Sequence, residues 1–111
     1  MKINTQNYND VIVVELQGEL IVEYLQQFKD AIAEIMPEKP SGIVLDMTNV
    51  GFVDSQGLEC LLLLRDECHE ANCQLKLAGL DENCEKILEI TRLQVQLDTY
   101  EELAEAVKSF V

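Results

Sequence analysis

The chain has 111 residues, 48% of them hydrophobic, and 21 acidic side chains against 8 lysines and arginines give a net charge of −13. That length supports one core and leaves no room for a second, so a single domain over residues 1–111 is expected. The acidity argues against nucleic acids and anionic membranes, both of which are met through cations, and suits a protein partner with a basic patch.

In chain order, Val11-Ile12-Val13-Val14-Glu15-Leu16 is a β-branched run that predicts a strand. Tyr8-Asn9-Asp10 predicts a turn before it, and residues 2–7 a short strand paired with it as a hairpin. Gly18 ends this strand. From Ile21 to Met36, Leu25, Phe28, Ile32 and Ile35 recur at helical spacing, and Pro37 and Pro40 stop that helix. Ile43-Val44-Leu45 then runs apolar without alternation, as in a strand covered on both faces. A strand–helix–strand unit of this kind predicts a parallel pair with a right-handed crossover.

Thr48, Asn49 and Gly51 carry turn chemistry, a short extended piece follows at Phe52-Val53, and a helix opens on Asp54-Ser55. The helix continues to about Ala71. Leu61, Leu64, Cys68 and Ala71 fall on one face, expected to be the core face. Glu59, Asp66, Glu67 and Glu70 gather opposite, with Leu63 inside this acidic side and Leu62 nearer its edge. Ser55 therefore stands where an apolar strand hands over to a helix N-terminus, a place that welcomes negative charge.

Gln74-Leu75-Lys76-Leu77-Ala78 reads as the next strand, broken by Gly79. Asp81-Glu82-Asn83 opens a third helix with a stripe of Cys84, Ile87, Leu88 and Thr91. Leu93-Gln94-Val95-Gln96-Leu97 alternates and predicts a half-buried strand. Asp98-Thr99 is expected to cap a last helix that docks through Leu103, Ala106, Val107 and Phe110. The order β-β-α-β-α-β-α-β-α predicts an α/β fold: a mixed, mainly parallel sheet of four to five strands with about four helices.

Other chemistry finds little support. No apolar run approaches the ~18–20 residues of a membrane span, and Met1-Lys2-Ile3-Asn4 lacks the core of a secretion signal, so a cytoplasmic location is expected. Cys60, Cys68, Cys73 and Cys84 include no paired C-x-x-C and meet one histidine, so no metal site is expected and they read as small buried hydrophobes. The only histidine, His69, lies four turns from Ser55 on the same helix, which speaks against a catalytic serine. A phosphate-accepting Asp46 would require an acidic pair to hold Mg²⁺, for which Glu15 and Glu19 are the only neighbours at the first strand's end. No enzyme activity and no cofactor are expected, and the chain has no glycine loop to cradle ATP phosphates.

Val50-x-Phe52-Val53-Asp54-Ser55-Gln56-Gly57-Leu58, after a strand ending in Leu45-Asp46, resembles the signature of the STAS domain. Leu16-Gln17-Gly18-Glu19-Leu20 resembles the Leu-x-Gly-x-Leu block that opens such domains. The family is best known for bacterial anti-sigma-factor antagonists, in which the serine after the aspartate is phosphorylated by a partner kinase that doubles as an anti-sigma factor. The resemblance implies phosphorylation at Ser55. The partner surface expected around it is Asp54, Ser55, Gln56, Gly57 and Glu59, with Leu62 and Leu63 included because they lie on the same helix two turns from Ser55. Gly57, lacking a side chain, would let that partner approach the hydroxyl. Three positions depart from the kinase-regulated pattern: Ile21 replaces an aspartate, and Glu59 and Leu63 replace small residues. The alternative is a non-phosphorylated adaptor subunit of a larger complex, such as a lipid-transport assembly, with Asp54 or Ser55 serving only as a helix cap.

Overall fold

The turn at Asn9, which sits at φ 58°, folds β1 (Lys2–Tyr8) back antiparallel on β2 (Val11–Gln17), giving the expected hairpin. The computed structural model describes residues 1–110; Val111, the end of the expected domain, lies outside them. After β2 come α1 (Leu25–Ile35), β3 (Gly42–Asn49), α2 (Ser55–Glu70) and β4 (Gln74–Ala78). The chain then forms α3 (Glu82–Ile90), β5 (Asp98–Tyr100) and α4 (Leu103–Lys108).

The strands lie in the order β1-β2-β3-β4-β5, and β2 to β5 run parallel. Spatial order equals chain order, so crossovers of one hand place their helices on one face. That face carries Ile12, Val14, Leu16, Ile43, Leu45, Met47, Leu75 and Leu77, which pack with Phe28 and Ile32 of α1, Leu61 and Leu64 of α2, and Leu88 of α3. The alternate residues Val11, Val13, Val44 and Ala78 meet Leu103, Val107 and Phe110 across the other face, under α4. Covering both faces is why β3 is apolar without alternation.

Lys76 points to the α4 side and is only 5% exposed. Its ammonium donates to Ser109 Oγ, lies 4.1 Å from the centre of the Phe110 ring and reaches Asp98 at 4.0 Å. A buried lysine is tolerable only with such partners, so it pins the short α4 to the sheet.

Several expected boundaries change. The first helix is α only over Leu25–Ile35, flanked by 3-10 turns at Val22–Tyr24 and Met36–Glu38, the second holding Pro37. β3 continues through Thr48 and Asn49, which were expected in a turn, because Asn49 still aligns with Gln17 after a register shift between Glu15 and Gln17. The strand expected at 93–97 is instead a 3-10 turn at Leu93–Val95. Only Leu93 and Leu97 are buried there and Val95 is 80% exposed, so the apolar pair is joined by a single helical turn. Asp98 and Thr99 do not cap the last helix; they belong to β5, and α4 begins after Glu102. Ala71 and Thr91, placed on apolar stripes by spacing, are exposed where their helices end, and the Thr91 hydroxyl donates back to Ile87 O.

Lys76→Ala is expected to cost about 1–2 kcal/mol by removing a hydrogen bond and a cation–π contact. Hydrogen exchange should show the α4 amides losing protection before those of β3; uniform loss would contradict the pinning role.

Candidate functional site

The loops leaving β2 and β3 lie side by side. The Gly18 N–H donates to Asn49 O at 3.1 Å, the Leu20 N–H to Phe52 O at 2.9 Å, and the Asp54 N–H to Leu20 O at 3.2 Å. Leu20 and Val53 form a parallel bridge and are both buried. Asn83 and Cys84, at the start of α3, hold the second loop from the other side by donating to Gly51 O and Val50 O at 2.9 and 3.3 Å.

Asp54 then uses both carboxylate oxygens. Oδ1 accepts the Gly57 N–H at 2.7 Å, which caps α2, and Oδ2 accepts the Val22 N–H at 2.9 Å, which ties in the loop before α1. Its extended backbone, φ −84° and ψ 179°, is that of an N-cap residue. Of the two residues that could cap this helix, Asp54 does so. Ser55, the first residue of the 16-residue α2, is exposed at the positive end of the helix dipole.

Gly57 does not face outward. It is buried, and a Cβ there would stand 2.3 Å from Leu20 O and 2.9 Å from Val53 Cγ1. Its bareness lets α2 seat against the Leu20 loop, which corrects the expectation that it opens a path to the hydroxyl. Gln56 and Glu59 are exposed, Leu62 is half-buried and Leu63 is 52% exposed.

The sequence reading missed two side chains. Val22 and Phe52 are exposed apolar residues, 52% and 41%, on the two loops that meet at Asp54. Strand-like alternation around buried Val53 could have found Phe52; Val22 follows only from the 3-10 turn. Farther along α2, a groove of about 300 Å³ opens between α1 and α2, lined by Phe28, Ile32, Met36, Cys60, Leu63 and Leu64, with Lys29 and Glu67 also in its lining.

The other chemical candidates disperse. Asp46 is 8% exposed, and its Oδ1 accepts both the N–H and the hydroxyl of Thr48, at 3.1 and 2.6 Å. His69 and Ser55 are 14 positions apart on one helix, about 21 Å along its axis. All four cysteines are free and buried. Burial pushes the Cys60 thiol up, and burial followed by the Asp81 carboxylate pushes Cys84 up to about 12. A hydrogen bond with Cys73 and burial raise Cys68, and the same bond lowers Cys73. Among the described residues no group of three or more His, Cys, Asp or Glu could hold a metal ion.

The fold and the motif together define a STAS domain. The STAS family model matches residues 2–106, and the chain belongs to that family. A STAS-domain containing protein of Pseudomonas aeruginosa is 34% identical over 83 residues, covering 75% of this chain and 81% of that one. A candidate anti-sigma factor antagonist of Thermotoga maritima superposes with a TM-score of 0.89 at 21% identity, over 96% of this chain and 92% of that one. The Bacillus cell fate determinant SpoIIAA, in its phosphorylated form, gives 0.73 at 17% identity over 99% of this chain and 100% of that one.

Asp54→Ala is expected to lose about 1–2 kcal/mol with its cap, and Gly57→Ala about 1–3 kcal/mol by overpacking against backbone. Ser55→Ala, which removes no cap, should stay within about 0.5 kcal/mol of the native protein. Urea unfolding of the three variants measures the order; a Ser55→Ala loss as large as that of Asp54→Ala would move the capping role to Ser55.

Proposed function

We propose that this STAS domain is a regulatory binding protein of the anti-sigma-factor-antagonist kind, switched by phosphorylation of Ser55 and without catalysis of its own. The observation that carries this reading is the division of labour at the start of α2: Asp54 supplies the cap, and Ser55 remains exposed beside the Phe52 and Val22 loops. A hydroxyl with no capping duty can be modified without unfolding the helix.

A phosphate on Ser55 adds about 1.5–2 negative charges. The helix N-terminus accommodates them, so the domain keeps its fold. Asp54 and Glu59 lie one position before and one turn after, and the local surface becomes strongly anionic and hydrated. A partner packed on Phe52, Val22, Gln56 and the Leu62–Leu63 flank is then expelled by charge and by the desolvation it can no longer achieve. The partner is a protein whose docking patch is apolar with basic surroundings, in keeping with the net charge of −13. It also binds the ATP and performs the transfer, and the encounter takes place in the cytoplasm. No helix among the described residues is long and apolar enough to cross a membrane.

Glu59 and the exposed Leu63 favour a second reading, an adaptor held permanently in an assembly through the same flank of α2. Binding of the partner to Ser55→Ala and Ser55→Asp separates the two. The switch predicts that Ser55→Asp weakens binding by about tenfold or more, about 1.4 kcal/mol, while both variants melt with the native protein. Equal binding by both variants would leave the adaptor.

A further inference from the structure

The two edges of the sheet are treated differently. β5 has 3 residues, whereas β1 has 7 and pairs with β2 from Lys2↔Gln17 to Tyr8↔Val11 without a bulge. Exposed edges are normally blunted by shortness, proline, bulges or charge. β5 is short. β1 has no proline, and after Lys2 it is wholly uncharged, Ile3-Asn4-Thr5-Gln6-Asn7-Tyr8, in a chain of net charge −13. All its residues but Ile3 are exposed, so an ordered row of outer backbone donors and acceptors faces outward.

Its two ends differ in charge. Lys2 stands at one. At the other are Asp10, after the turn, and Glu38, which accepts from Asn7 at 3.5 Å, with Lys39 following it in the chain. An antiparallel copy of β1 would bring each Lys2 to the other copy's Asp10 end, whereas a parallel copy would set Lys2 against Lys2. Between β1 and α1 lies a shelf of about 290 Å³ lined by Ile3, Thr5, Gln27, Asp30, Ala31 and Glu34. A second β1 would present Ile3, Thr5 and Asn7 on that side, none of which adds a charge beside Asp30 and Glu34.

We propose that β1 is a self-association edge: two copies join β1 to β1 antiparallel about a two-fold axis at Thr5, doubling the sheet. The contact is isologous, so it closes at two copies. It uses neither α2 nor Ser55 and stands apart from the switch.

Sedimentation velocity from about 5 to about 500 μM tests this by mass action. The mass should rise from 12.6 kDa toward twice that value. Thr5→Glu and Thr5→Lys each set like charges across the axis and should hold the protein monomeric, with native circular dichroism; an equimolar mixture of the two should dimerise again. Ser55→Asp should associate like the native protein. A native chain that stays at 12.6 kDa throughout, or a dimer indifferent to both Thr5 variants, overturns the proposal.

Discussion

The site depends on one carboxylate. Asp54 holds the first turn of α2 with one oxygen and the loop before α1 with the other. Two stretches that lie 32 residues apart, around Val22 and Asp54, are thereby fixed to each other. The pairing of Leu20 with Phe52 and Val53 seals the same junction by backbone. Charge-assisted bonds of this type are stronger than neutral ones, and here they also decide which neighbouring residue is left unengaged. Asp54 is committed twice, and the Ser55 hydroxyl takes no part in the bonds that hold this junction.

The sheet explains why such a junction exists. With β2, β3 and β4 parallel and adjacent, their C-terminal ends open on one side, and the loops leaving β2 and β3 must pass next to each other. α2 can begin close to that crossing only if nothing projects from its inner face at the third residue, and Gly57 meets that condition. The short α4 covers the opposite face, where Lys76 of β4 bonds to Ser109 and Phe110 joins the cluster of Val11, Val13, Val44 and Ala78. The two faces of the sheet are thus taken up by packing, and the residues proposed for recognition lie at one end of it.

Much of this was legible in the residues. The β-branched run at 11–16, the non-alternating strand at 43–45 and the helical spacing of Leu61, Leu64 and Cys68 follow from burial alone, and all three elements are present. The failures have physical causes. Leu93-Gln94-Val95-Gln96-Leu97 fits a period of two, but its buried pair is also spaced by four, and burial chose the turn of helix. Asp98 and Thr99 look like caps, yet β4 offered an open edge and they joined it. Gly57 was read from the motif as a gap for a partner, when its reason is a backbone carbonyl contributed by Leu20, 37 positions earlier, which local pattern cannot reveal. Val22 was missed for the same reason: its place beside the site comes from a long-range bond to Asp54.

The central claim is that Ser55 is modified and that modification acts on recognition. Its most direct test is the mass of the protein isolated from its native cells, followed by peptide mapping across Ser55. The account predicts a fraction heavier by one phosphate, mapped to Ser55 and lost in Ser55→Ala. Protein of unmodified mass under every growth and stress condition, or a phosphate that maps elsewhere, would contradict it.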